Sequence, residues 1–143
     1  MTRTRGREFA LQVLYEIDTR GAEAAAALSA YWDNFLQAPG VEVPDASIRE
    51  FTRGLVEGVV HNRAELDSLI ERCSINWRIE RMPRVDRNVI RLAAWELSHA
   101  KETPMKVVIN EAIELGKRYG SEESGAFING ILDRVASELG RTA

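Results

Sequence analysis

Imidazoles, thiols and paired carboxylates are the side chains from which most active sites are assembled, and this chain has few of them. Its two histidines, His61 and His99, are far apart in sequence, and its one cysteine, Cys73, falls on an apolar helical stripe. His61 follows a hydrophobic face without ligand-type neighbours at metal spacing, so it reads as structural. Cys73 reads as a small core residue, and a single cysteine excludes an internal disulfide and a multi-cysteine metal site. Glu122 and Glu123 stand side by side at a helix start, where attraction to the positive end of the dipole accounts for them without acid–base work. No phosphate loop, GxGxxG, HExxH or nucleophile elbow occurs in the sequence. The pattern points away from an enzyme and implies neither cofactor nor metal.

Binding chemistry is better represented. Arg3, Arg5 and Arg7 precede the first acidic residue, Glu8, and lead into an apolar helical face. Three guanidinium groups at a helix N-terminus add in sign to its dipole, which favours capture of an anion. The net charge of −3 means that any nucleic-acid role depends on such a local concentration. A second candidate surface is the turn from Tyr119 to Phe127. It sets Glu122, Glu123 and Ser124 beside free backbone N–H groups and leaves an aromatic, Phe127, one turn into the helix that follows.

The elements that must position these groups are helices throughout. Phe9, Ala10, Val13, Leu14 and Ile17 form one helical face, which Gly21 ends; Leu28, Tyr31, Trp32, Phe35 and Leu36 form a second. After a Pro- and Gly-containing loop at 38–44, Asp45 or Ser47 opens a third helix bearing Ile48, Phe51, Leu55, Val56 and Val59. Asn62 and Glu65 have the spacing of a capping box, restarting a helix through Leu66, Leu69, Ile70 and Cys73. Ser74 to Met82 alternates apolar and polar residues, but a lone strand would have no partner, so a connector that packs Trp77 between two halves is expected. Pro83 starts a helix with Val85, Val89, Leu92, Ala93 and Leu97 inward. Thr103 and Pro104 open the next, Gly120 closes it in the left-handed conformation, and Ser121 caps the last. The reading is all-α, a single domain over 1–143 with sub-bundles of about 1–73 and 78–143. No run approaches the roughly 20 apolar residues of a membrane span, and MTRTRGRE lacks the following hydrophobic segment of a signal peptide. A cytoplasmic protein with no membrane contact is expected.

Three segments, RGREFALQVLYEID, VDRNVIRLAAWEL and TPMKVVINEAIELGKRYGSEESGAFINGILD, make the chain resemble the NusB family of bacterial transcription antitermination factors. The last is the most specific, because INEAIELGK joined to FINGILD at this spacing is not required by helix physics alone. The resemblance implies two small orthogonally packed helical bundles and a non-catalytic factor. It implies that this factor, with the ribosomal protein NusE, recognises boxA in single-stranded nascent RNA of ribosomal operons and joins the antitermination complex on RNA polymerase. Carried over to this sequence, the RNA-binding positions are Arg3, Arg5, Arg7, Tyr15, Glu123, Ser124 and Phe127, with the arginines and Phe127 forming one surface. The NusE-facing positions are Asp86, Arg87 and Glu80. Ala126 stands where many relatives carry Lys or Arg, so that phosphate contact is missing. Two other readings are a domain like the amino-terminal part of certain RNA methyltransferases, acting with a separate enzyme, and a self-associating scaffold that masks its arginines in a homodimer.

Overall fold

The structure, a computed structural model, describes residues 2–75 and 77–141. Asn76 of the connector and the side chain of Leu36, expected on the second apolar stripe, lie outside the described residues. Every regular element among them is helical: α1 Arg3–Arg20, α2 Ala24–Gln37, α3 Ala46–His61, α4 Arg63–Cys73, α5 Arg84–His99, α6 Met105–Tyr119 and α7 Ser124–Glu138, with a 3-10 turn at Ile79–Arg81. The chain divides into two compact units, Met1–Val60 and His61–Ala143.

In the first unit the helix ends follow from single side chains. Thr2 Oγ1 accepts from the Arg5 N–H, and Gly21, at φ 68°, turns its N–H back to the Ile17 carbonyl at 2.7 Å. Glu23 accepts from the N–H groups of Ala25 and Ala26 to open α2. Asp45 opens α3 by accepting from the Ile48 N–H at 3.0 Å, a bond that holds its carboxyl below the ordinary range. Phe9 is the centre of the core. Trp32 and Phe35 meet it edge-on at 5.3 and 5.1 Å, and the Tyr31 hydroxyl donates to Gln12 Oε1. Gly6 lets α3 approach α1: Thr52 Oγ1 donates to the Gly6 carbonyl at 3.1 Å, and a Cβ on Gly6 would lie 2.8 Å from the Phe51 ring.

The second unit begins one helix earlier than the sequence suggests, because α4 packs on α5 and α7. Asp67 of α4 takes a two-pronged bond from buried Arg91 of α5, at 2.8 and 3.0 Å, and Arg134 Nε of α7 donates to the Cys73 carbonyl. Cys73 is buried, and burial pushes its thiol up, away from nucleophilic use. Val108, Ile109, Ala112 and Leu115 of α6 and Ile128, Ile131, Leu132 and Val135 of α7 are all buried, each contributing roughly 1.5–3 kcal/mol for its larger side chains. Arg141 closes the opposite end by donating to the carbonyls of Leu97 and Thr103, both at 2.7 Å.

Several expected caps do not form. Asn62 makes no side-chain cap bond, and α6 starts at Met105 behind an extended Pro104 rather than under Thr103. Gly120 is not left-handed, with φ −101° and ψ −149°. Glycine is needed there for space instead: a Cβ would collide with Ser124 Oγ and lie 2.8 Å from the Gly116 carbonyl. Gly120→Ala is therefore expected to cost about 1–3 kcal/mol, read as a lower urea midpoint. An unchanged midpoint would mean that the turn yields without strain.

Candidate nucleic-acid interface

The arginines of α1 are sorted by helical geometry. Since α1 begins at Arg3, Arg5 and Arg7 lie inside the helix, and residues four apart share a face. Arg3 and Arg7 both lie over the Phe51 ring, at 4.8 and 5.3 Å. Arg5 lies over Phe9 at 4.5 Å and pairs with buried Glu8 at 3.2 Å. Arg3 is exposed and Arg5 partly so, whereas Arg7 is only 4% exposed. Arg7, expected as an open phosphate contact, is instead buried, with its guanidinium over Phe51 in the α1–α3 packing. Tyr15, on the same helix, is 39% exposed.

In the second unit the start of α7 is built differently from the sequence expectation. Ser121 does not cap α7, which begins at Ser124 with no side-chain bond from the preceding residue. The Ser124 hydroxyl turns back, accepting from the Ser121 N–H at 2.9 Å and donating to Asp86 Oδ1 of α5 at 2.7 Å. Ser124 is 1% and Asp86 3% exposed. Two residues expected on an RNA face and a protein face are therefore hydrogen-bonded to each other, both buried. The exposed groups of this corner include Glu122 and Glu123, the latter accepting from Ser121 Oγ at 3.3 Å, and Phe127 beside them is half-buried. Trp77, expected between two halves, is 45% exposed and meets the Phe127 ring edge-on at 5.6 Å. The connector is anchored instead by Ile79 and Met82, both buried, and by the Ile79 N–H donating to Glu71 Oε2 at 2.9 Å. Of the other positions, Glu80 is exposed and Arg87 half-buried, the Arg87 guanidinium donating to the Glu80 carbonyl at 3.3 Å.

Burial raises the Asp86 carboxyl above its ordinary range, and the Ser124 hydroxyl opposes that rise. The folded protein thus takes up the Asp86 proton at higher pH than the unfolded chain. The Asp86 contribution is most favourable below the ordinary carboxylate range and is lost as pH rises through the raised value. Asp86→Asn keeps an oxygen acceptor for Ser124 without the charge. The expected result, from urea unfolding between pH 4 and pH 8, is a flatter profile with stability at pH 8 equal to or above the unsubstituted chain. A marked loss at pH 8 would show that the charge itself is needed.

Exposed Arg3 and Glu123 and half-buried Phe127, on an all-helical scaffold, are the cationic, anionic and aromatic groups of a small binding protein. Among the described residues no group of three His, Cys, Asp or Glu could hold a metal ion, and no helix is long and apolar enough to cross a membrane. The model of the NusB family matches residues 4–137, and the chain belongs to that family.

Transcription antitermination protein NusB of Anaeromyxobacter dehalogenans is 53% identical over 137 residues, covering 96% of this chain and 92% of that protein. Its counterpart from Myxococcus xanthus is 51% identical over 139 residues, covering 97% of both. Among solved structures, T. maritima NusB is similar at TM-score 0.82 and 36% identity, over 96% of this chain and 92% of that one. A chain of the antitermination factors NusB and NusE in complex with dsRNA is similar at TM-score 0.83 and 28% identity, over 96% of this chain and 99% of that one.

Proposed function

We propose that this chain is a non-catalytic antitermination factor that, together with NusE, binds boxA-containing single-stranded RNA and helps assemble the antitermination complex on RNA polymerase. The observation that carries the reading is the corner at the start of α7, where an exposed carboxylate, Glu123, stands four residues from a half-exposed ring, Phe127. A carboxylate accepts from base amino groups, and a phenyl face stacks a splayed base. The likeness to a NusB that was solved with NusE and dsRNA supports the pairing with NusE and an RNA ligand. In this reading Arg3 and Arg5 contact phosphates, Tyr15 adds a ring, and Glu123 and Phe127 read bases. Arg7 and Ser124 act by holding their neighbours. Glu80 and Arg87 face NusE, while Asp86 positions the α7 corner from inside.

Anisotropy titration of boxA RNA against a scrambled control, with NusE present, tests the reading. Selective binding of boxA is expected, and equal affinity for both RNAs would overturn it. Each phosphate contact released by salt should contribute about −0.7 to the slope of log K against log salt. With Arg3 and Arg5 as the contacts from α1, changing both to Gln should flatten that slope by roughly 1.4. A slope unchanged by the double substitution would remove α1 from the RNA path.

A further inference from the structure

An open cleft of about 530 Å³ lies beside Trp77, lined by Glu71, Ser74, Trp77, Arg78 and Arg81. Its size is within the roughly 300–1,000 Å³ typical of small-ligand sites. Three features of the cleft point to one ligand chemistry. Arg78 and Arg81 flank the 3-10 turn three residues apart, with the Arg81 N–H donating to the Arg78 carbonyl at 3.0 Å. Both residues are exposed and both line the cleft, so two guanidinium groups border the same opening. Among the described lining residues the two arginines outnumber the one carboxylate, Glu71, which also accepts from the Ile79 N–H, so the cleft has a net positive character. Next to the arginines stands an indole that is nearly half exposed, an unusual state for the largest apolar side chain. Finally, Ser74 is one of the lining residues, and its hydroxyl is buried with no hydrogen-bond partner among the described residues. A buried hydroxyl without a partner is costly unless something arrives to satisfy it.

A flat π-face and two guanidinium groups fit a nucleotide, with a base on the indole and a phosphate between the arginines, and the unpartnered Ser74 hydroxyl beside them is a polar group that a shift on binding would satisfy. The Phe127 ring, tilted 73° from the indole, offers its own face in a different direction. Two successive splayed bases can therefore be held on two faces, one per ring. We propose that the cleft is a second nucleotide subsite for single-stranded RNA, taking one base on Trp77 and the adjoining phosphate between Arg78 and Arg81. This rests on the RNA-binding function proposed above and extends the RNA path by one nucleotide beyond Phe127.

The test uses the full chain with NusE and boxA RNA. Trp77→Ala is expected to weaken RNA binding roughly 5- to 100-fold, the loss of one stacked base, and Trp77→Phe to recover most of it. The double change Arg78→Gln with Arg81→Gln should flatten the salt dependence by about 0.7, one single-strand phosphate contact. The Arg pair is exposed, so its variant reports on the subsite even if Trp77→Ala disturbs folding. BoxA selectivity in the unsubstituted chain, with affinity unchanged in Trp77→Ala and in the Arg variant but lowered in Phe127→Ala, would overturn the subsite and leave the proposed function standing. Absence of boxA selectivity in the unsubstituted chain would overturn both. If the Trp77 and Arg variants instead lose affinity for NusE measured without RNA, the cleft is a protein-docking surface and the subsite is wrong.

Discussion

Asp67→Ala is expected to lower the folding stability by about 3–5 kcal/mol, because it strands the buried Arg91 guanidinium without its carboxylate. The bond it removes is two-pronged and joins α4 to α5, so the loss falls on the attachment of a whole helix rather than on one side chain. Asn88 Oδ1 still accepts from Arg91 at 3.3 Å, but a neutral amide does not offset a buried positive charge. Against a total stability of about 5–15 kcal/mol, the variant should melt on the order of 10 °C lower. Pairing Asp67→Leu with Arg91→Met removes both charges together and should recover most of the loss, since an apolar pair of similar volume often replaces a buried ion pair without penalty. A drop of under 1 kcal/mol in Asp67→Ala would mean that solvent reaches Arg91 easily and that α4 is held by its apolar stripe alone.

Phe127→Ala is expected to weaken boxA binding by about 1–3 kcal/mol, one stacked base, while leaving the helical signal intact. The ring is half-buried and makes an edge-on contact with Trp77, so a stability cost of about 1 kcal/mol accompanies the change. Phe127→Leu separates the two effects, because it retains apolar volume but loses the π-face. Binding lost in both variants with melting unchanged in the Leu variant supports stacking. Binding retained in the Ala variant removes Phe127 from the RNA surface, and a collapse of helicity at moderate temperature would make the ring a core element.

The helices were legible because each carries an apolar stripe at helical spacing, and the Phe9, Trp32 and Phe35 core is the meeting of two such stripes. Less legible were features that depend on which helix lies opposite. Arg7 reads as a basic residue of a cationic start, and only the approach of α3 at Gly6 turns it onto Phe51. Ser124 and Asp86 are thirty-eight residues apart, and nothing local marks them as a buried pair. The sequence suggests a left-handed cap at Gly120, whereas the limit there is the serine hydroxyl packed against it. A large apolar residue such as Trp77 in an alternating connector suggests burial, and the neighbouring Arg78 and Arg81 are the available sign of the surface on which it lies.

The two bonds from Arg141 bear on how the polypeptide can be handled. One side chain spans the carbonyls of Leu97 and Thr103, so a shortened variant ending at Gly140 would free both acceptors at once and loosen the 100–104 link that they flank. That link would then become the preferred point of tryptic attack, at Lys101.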